Sequence, residues 1–424
     1  MALTKDGYIP RLADQKITRY LNTFGAILID GPKWCGKTWT ALSHSNSVRY
    51  IMNPPPGVNY KETARYDPSL LLDGDEPILI DEWQEVPALW DAARFAVDQS
   101  HRRGRFILTG STKPNISEMA HSGAGRFAHV RMRPMSLCEM GLSTKKVSLS
   151  DILAGNKITP SISDIGLKEL IKITCFGGWP ANLHIPNDGA LEIPAQYIES
   201  IARIEMAQVD DIRRDPSRMR RVLRSLARNN STLASNATLR GDLLEDGESF
   251  APNTISSYIS ALTRLYVIEE IPGWKPDIRS RARVRTSPKR IFSDPSLAAA
   301  ALNAEPEKLM FDLNTFGFLF ENLCIRDLLI YADFLGAAVY HYRDSNNYEA
   351  DAIVETKDGS WSAFEIKLGA HRVDEGASSL LALKRRMAAE GAKPPESLCV
   401  ITGGGLACQR DDGVYRVPIN ALCP

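Results

Sequence analysis

The stretch GPKWCGKT, residues 31 to 38, separates Gly31 from Gly36 by four residues and follows them with Lys37 and Thr38. That is the G-x-x-x-x-G-K-S/T spacing of a phosphate cradle. Glycines let backbone N–H groups converge on an anion at close range. Lys37 would reach β- and γ-phosphates, and the Thr38 hydroxyl would hold Mg²⁺. Pro32, Lys33, Trp34 and Cys35 fill the loop between the glycines. A cradle of this kind needs a carboxylate partner, and EPILIDEWQEVP offers Asp81 and Glu82 at the end of an apolar run. Asp81 would order Mg²⁺ through water, and Glu82 would polarise the attacking water, as ATP hydrolysis requires. In RFILTGST, Ser111 falls where a polar side chain would sense the γ-phosphate. Arg126, after a Gly-Ala-Gly, would stabilise transition-state charge in its own subunit or a neighbour's, the latter requiring a homo-oligomer. The plainer readings are a strand-to-turn exit at Ser111 and a surface arginine at Arg126.

Two further groups of residues stand out. In SAFEIKLG, Glu365 and Lys367 share one face of a period-two pattern, opposite Phe364, Ile366 and Leu368. In EADAIVE, Asp351 shares a face with Glu349 and Ile353, and the Asp-Gly between the two runs signals a turn. Adjacent strands would thus present Asp351, Glu365 and Lys367 to one point. Upstream, Glu321 lies on a helical stretch. The second group is basic. Arg213, Arg214, Arg218, Arg220, Arg221, Arg224 and Arg228 crowd one helix, and Lys275, Arg279, Arg281, Arg283, Arg285, Lys289 and Arg290 crowd a later loop. Such segregation suits contact with the backbone of DNA or RNA, with Arg281, Arg283 and Arg285 as the foremost candidates. It suits an interface with an acidic protein partner as well.

These residues need elements to hold them. GAILID before the glycine loop reads as a buried strand, and TWTALSH after it as a helix start. A helix N-terminus then adds its dipole and unpaired N–H groups to the cradle. Ile255, Tyr258, Ile259, Leu262 and Leu265 repeat at helical spacing behind a Pro-Asn-Thr start. YVIEEIPGW and SPKRIFSD read as two strands with a basic connection, so helices followed by a hairpin predict a winged helix. CFGGWPANL reads as a tight turn near the nucleotide core. VITGGGLACQR, without Lys-Ser/Thr, reads as a turn after a strand.

Composition sets the outer bounds. The 424 residues suggest two to four domains. Lys plus Arg and Asp plus Glu both number 51, so net charge points to no polyanionic partner and only local segregation does. Seven scattered cysteines make no C-x-x-C pair and predict no zinc module and a reduced, cytoplasmic compartment. The first fifteen residues hold no apolar signal core, and no run is long enough to cross a membrane.

Taken in order, YIPRLAD, GPKWCGKT, LIDEWQEVP, ILTGST, GAGRFAHVRMRPMSLCEM and CFGGWPANL resemble a group of prokaryotic AAA-type ATPases with an AAA_14 module and a C-terminal DUF4143 region. In that group the loop is spelled more like G-P-R-Q-x-G-K-T. Lys33 and Trp34 depart from it at the rim and leave the phosphate positions intact. The resemblance implies ATP and Mg²⁺ as cofactors. The D-x13-E-x-K separation of Asp351, Glu365 and Lys367 resembles the PD-(D/E)XK nuclease superfamily, where two carboxylates bind a divalent metal and the lysine positions water or stabilises charge. Such folds often add a helix acid, here Glu321. A structural salt-bridge cluster in a nuclease-derived scaffold is the alternative. The expected fold class is α/β in three pieces. They are a P-loop AAA-type ATPase core over 1–160, a helical and winged-helix middle over 161–304, and a restriction-endonuclease-like domain over 305–424. The expected function is an ATPase whose nucleotide state regulates a nucleic-acid-directed module. The alternatives are a scaffold ATPase that binds protein partners and a nuclease with ATP as a structural ligand.

Overall fold

A computed structural model describes residues 5–112, 123–163, 165–203, 214–245, 247, 250–275, 287–344 and 348–424. The chain forms two compact units, Met1–Pro134 with Arg264–Tyr266, and Met135–Thr263 with Val267–Pro424.

The first unit is built on five parallel strands: β1 (Ala26–Asp30), β2 (Ser47–Tyr50), β3 (Ile78–Asp81), β4 (Phe106–Gly110) and β5 (Phe127–Arg131), in the order β2-β3-β4-β1-β5. The apolar runs ILI and FIL are continuous because both sheet faces are covered, as parallel sheets require. Successive residues then point to opposite sides. Ala26, Leu28, Ile78, Ile80, Phe106 and Leu108 join one core with Trp83 and Trp90, which lies on the helix Ala88–Ser100. Ile27, Ile29, Leu79, Ile107 and Val130 join another with Ile17 and Ala41. The register aligns Asp30 with Gly110 and Asp81 with Thr109, so the polar exits of β1, β3 and β4 lie along one edge.

The second unit holds helices and a mixed sheet. The helices Pro216–Arg228, Asn236–Glu245 and Pro252–Arg264 precede β8 (Ile268–Ile271) and β9 (Lys289–Phe292), which pair antiparallel. All five residues of the expected apolar face, Ile255 to Leu265, are buried. The order of helices then hairpin is the expected one, but the basic connection carrying Arg279, Arg281, Arg283 and Arg285 lies outside the described residues, as does Arg213.

Seven strands form the second sheet: β7 (Ser161–Ser163), β10 (Ala338–Arg343), β11 (Glu349–Glu355), β12 (Trp361–Lys367), β13 (Ser397–Thr402), β14 (Gly405–Gln409) and β15 (Tyr415–Pro418), in the order β10-β11-β12-β13-β15-β14-β7. A separate parallel pair joins β6 (Val147–Ser148) to β16 (Leu422–Cys423). Residues 135–160, expected with the nucleotide core, belong to the second unit. β12 runs antiparallel to β11 and parallel to β13. It is central, so its alternation does not make it half-exposed, and Glu365 is buried with its apolar neighbours.

A buried ionic triad knits this unit. Arg326, on the helix Leu313–Leu335, donates to Asp294 Oδ2 at 2.8 Å and to Asp327 Oδ1 at 2.9 and 2.7 Å. Both carboxylates accept backbone hydrogen bonds as well. Asp294 Oδ2 accepts from Gly178 N and Asp327 Oδ2 from Leu137 N. Gly178 is required here because a Cβ would meet the Met135 carbonyl oxygen at 2.1 Å. CFGGW thus packs in the second unit, against Asp294 and Met135, and not in the nucleotide core.

Candidate functional site

The glycine loop leaves β1 and enters the helix Lys37–Ser43, as its flanks predict. A Cβ on Gly31 would lie 2.3 Å from the Met132 carbonyl oxygen, and Gly36 adopts a φ of 100°. Both positions exclude ordinary side chains. Lys37 Nζ is buried and donates to the Pro32 carbonyl at 2.8 Å, inside the loop. Trp34, with a φ of 64°, stands exposed on the rim. Arg11, from YIPRLAD, braces the loop from behind by donating to the carbonyls of Cys35 at 2.7 Å and Arg133 at 2.8 Å.

Two strands and the helix that follows the loop meet at one carboxylate. Asp81 Oδ1 accepts from Thr38 Oγ1 at 2.8 Å and from Thr109 Oγ1 at 2.6 Å. Burial pushes the Asp81 carboxyl above its ordinary range, and the two threonine hydroxyls pull against that shift. The Thr109 hydroxyl oxygen also accepts from Glu82 N at 3.3 Å. Glu82 itself is left-handed, φ 57°, which turns its side chain out of strand alternation. Its Oε2 accepts from Ser111 Oγ at 3.2 Å and from Gln84 Nε2. Glu85, by contrast, is spent on Lys61 at 2.7 Å. Lys37, Thr38, Asp81, Glu82 and Ser111 are thus gathered at one edge. A hydroxyl and a half-buried carboxylate beside a lysine are the oxygen donors and cation that Mg²⁺ and a polyphosphate need.

Arg126 is elsewhere. Its carbonyl accepts from Ala26 N at the start of β1, while the loop follows Asp30 at the far end. Five residues of strand separate the two ends, a distance on the order of 13 Å. Arg126 donates to Asp98 at 2.7 Å, on the edge opposite the loop. Within its own subunit it is not at the phosphate cradle. The arginine at the loop edge is Arg131, paired with Asp30 in register, its guanidinium 3.7 Å over the Tyr266 ring. Sequence reasoning passed over Arg11, Thr109 and Arg131. The quoted motifs contained all three, and their local spelling carried no sign of a role.

In the second unit, Glu321, Asp351, Glu365 and Lys367 do converge, but with an addition. Lys289 Nζ lies 2.6 Å from Glu321 Oε1 and 3.5 Å from Asp351 Oδ1. Lys289 is only 2% exposed, so it is no wing residue facing solvent. Its neighbour Arg290 is likewise engaged, with Glu270 at 2.9 Å. Asp351 Oδ2 accepts from Ile366 N at 2.8 Å, and Lys367 Nζ pairs with Glu365 at 2.6 Å. Burial pushes Glu321 up to about 7 and Glu365 to about 8, against the pull of Lys289 and Lys367. Among the described residues no three His, Cys, Asp or Glu side chains are placed to hold a metal. The divalent ion that the nuclease resemblance implies does not fit this arrangement.

The arginine helix is partly committed to its own unit. Arg220 donates to Glu199 at 2.8 Å, Arg214 to Ser257 at 2.9 Å, and Arg218 lies 5.2 Å over the Phe250 ring. Arg224 and Arg228 are exposed.

Comparison with known proteins finds similarity to three families along the chain. A family described as AAA domain matches residues 23–141, one described as domain of unknown function DUF8612 matches 167–308, and domain of unknown function DUF4143 matches 316–422. Two uncharacterized proteins, Mb2031c of Mycobacterium bovis and Rv2008c of Mycobacterium tuberculosis, are each 26% identical over 362 residues, 84% of this chain and 73% of theirs. The Walker-type ATPase PABY2304 of Pyrococcus abyssi is similar at 13% identity over 68% of this chain and 94% of its own, with a TM-score of 0.42. A RuvB variant of Thermotoga maritima is similar at 16% identity over 66% and 90%, with a TM-score of 0.28. No helix among the described residues is long and apolar enough to cross a membrane. The chain therefore carries an AAA+-like ATPase domain, with its P-loop α/β core, and a separate C-terminal DUF4143 domain of unknown specific function.

Proposed function

We propose that this chain binds ATP with Mg²⁺, hydrolyses it, and uses the nucleotide state to regulate a C-terminal module directed at DNA or RNA. One observation carries the ATP reading: the hydroxyls of Thr38 and Thr109 converge on a single oxygen of the half-buried Asp81 carboxylate beside the Lys37 loop. Lys37 and the loop N–H groups bind the β- and γ-phosphates. Thr38 and Asp81 hold Mg²⁺, which when bound neutralises charge on the phosphate oxygens. Glu82 orients a water and accepts its proton as the oxygen attacks the γ-phosphorus. The bond to the bridging oxygen breaks, and ADP and phosphate leave. Ser111, bonded to Glu82, reports on the γ-phosphate through that carboxylate.

Exposed Arg224 and Arg228, with Arg281, Arg283 and Arg285 outside the described residues, are the proposed nucleic-acid contacts. The test is phosphate release with and without DNA or RNA, alongside affinity as a function of salt. Stimulated turnover and a linear fall of log affinity with log salt support this partner. Unstimulated turnover and a flat slope refute it and leave the ATPase reading standing.

A second reading, in which the C-terminal domain binds partners without cutting them, is favoured by one observation. Glu321, Asp351 and Glu365 each lie within 3.5 Å of a lysine nitrogen.

A further inference from the structure

We infer that Lys289 is the resident counter-cation of the C-terminal carboxylate cluster, seated where a divalent ion would bridge Glu321 and Asp351, so that the module takes no divalent ion while Lys289 is in place. The inference deepens the non-cutting reading above and does not depend on the ATP chemistry.

The three groups come from different elements. Glu321 lies on the long helix Leu313–Leu335 and Asp351 on the sheet strand β11. Lys289 opens β9, a strand of the separate two-stranded sheet. The lysine is therefore delivered to the cluster from outside the sheet that bears Asp351. Its ammonium touches Glu321 Oε1 at 2.6 Å and faces Asp351 Oδ1 at 3.5 Å and the Asp351 carbonyl at 3.3 Å. Mg²⁺ and its relatives need oxygens within about 2.0–2.6 Å on several sides. An ammonium already within hydrogen-bond reach of the same oxygens fills that volume and repels a second cation.

The remaining donors are also committed. Asp351 Oδ2 accepts from the Ile366 N–H where the β11–β12 ladder ends at Ala352 and Phe364. Glu365 is paired with Lys367. A lysine 2% exposed cannot swing into water without displacing its surroundings, so the occupancy is built in and not a surface accident. The charge that a metal would supply is instead covalent.

The test is Mn²⁺ titration of the full chain without nucleotide at pH 8, read by the electron paramagnetic resonance of free Mn²⁺. Wild type and Asp351→Asn should give superimposable isotherms. Lys289→Met should bind one additional Mn²⁺ per chain at least tenfold more tightly than wild type, and adding Glu321→Gln should remove it. A wild-type site lost in Asp351→Asn overturns the inference, as does a folded Lys289→Met chain with no added site. If Lys289→Met does not fold, Lys289→Arg provides a folded cationic control, and the comparison of wild type with Asp351→Asn still decides. A parallel cleavage assay separates the two readings. Mn²⁺ bound through Asp351 without cleavage sinks only the inference, whereas cleavage lost in Asp351→Asn sinks the non-cutting reading too.

Discussion

Thr109→Val deletes one hydroxyl and keeps the side chain's shape. Thr109 is fully buried on β4, between the strands that carry the glycine loop and Asp81. Its hydroxyl donates to Asp81 at 2.6 Å and accepts from Glu82 N at 3.3 Å. A hydrogen bond to a charged group contributes about 1.5–3 kcal/mol. If that energy positions Asp81 and Glu82 in the transition state, kcat falls between about 10- and 150-fold, at roughly 1.4 kcal/mol per decade. There is a second signature. Burial already raises the Asp81 carboxyl, and the Thr109 hydrogen bond is the largest influence opposing it. Its loss raises Asp81 further, so the acid limb of the kcat/KM profile moves to higher pH. The assay is steady-state phosphate release across pH at saturating Mg²⁺, with the melting temperature as a check on folding. A folded variant with kcat within twofold of wild type and an unmoved acid limb would refute the positioning argument.

Arg326→Met leaves Asp294 and Asp327 buried without their cation, which costs about 3–5 kcal/mol and should appear as a lowered calorimetric transition. Restoring neutrality with Asp294→Asn and Asp327→Asn in the same chain should recover much of it; no recovery would mean that packing and not charge is at stake. Buried His341 is pushed down to about 4 by desolvation and by Lys289. The unfolded chain protonates this residue near pH 6.5, so folded stability is present above that pH and falls by about 2 kcal/mol on going from pH 7.5 to 5. His341→Gln should flatten this part of the stability profile, and an unchanged acid slope would show that other groups cause it. Arg11→Met removes the bond to the Cys35 carbonyl in the loop and the one to Arg133 that anchors the brace, and ATP affinity should weaken by about tenfold for about 1.4 kcal/mol lost; unchanged affinity in a fluorescent-nucleotide titration would count against the brace.

Residues whose role is written in local spacing were legible in the sequence. The Gly31-to-Thr38 loop, the strand ending in Asp81 and Glu82, and the apolar face from Ile255 to Leu265 all depend on neighbours within a turn or two of chain. Thr109 was not legible, because its importance comes from β4 lying between β1 and β3, and sheet order is a tertiary fact. Lys289 was misplaced for the same kind of reason. Its sequence neighbours are basic and suggest a solvated wing, whereas its actual partners, Glu321 and Asp351, lie 32 and 62 residues away along the chain. Arg126 shows the converse. A flexible Gly-Ala-Gly suggests reach, but the parallel register of β5 with β1 anchors Arg126 at the wrong end of the sheet for its own loop. Alternation along β12 correctly separated Glu365 and Lys367 from Phe364 and Ile366. It could not reveal that the strand is central and covered on both sides.

In the proposed reaction, the edge holding Lys37, Thr38, Asp81 and Glu82 hydrolyses ATP with Glu82 as the group that activates water. The direct measurement is a paired one on purified wild type, Glu82→Gln and Lys37→Ala: fluorescent ATP-analogue binding and phosphate release in Mg²⁺. Wild type should bind and turn over; Glu82→Gln should bind with wild-type affinity and release phosphate at least about 100-fold more slowly; Lys37→Ala should lose tight binding. Phosphate release by Glu82→Gln at the wild-type rate, or wild-type binding by Lys37→Ala, would contradict it.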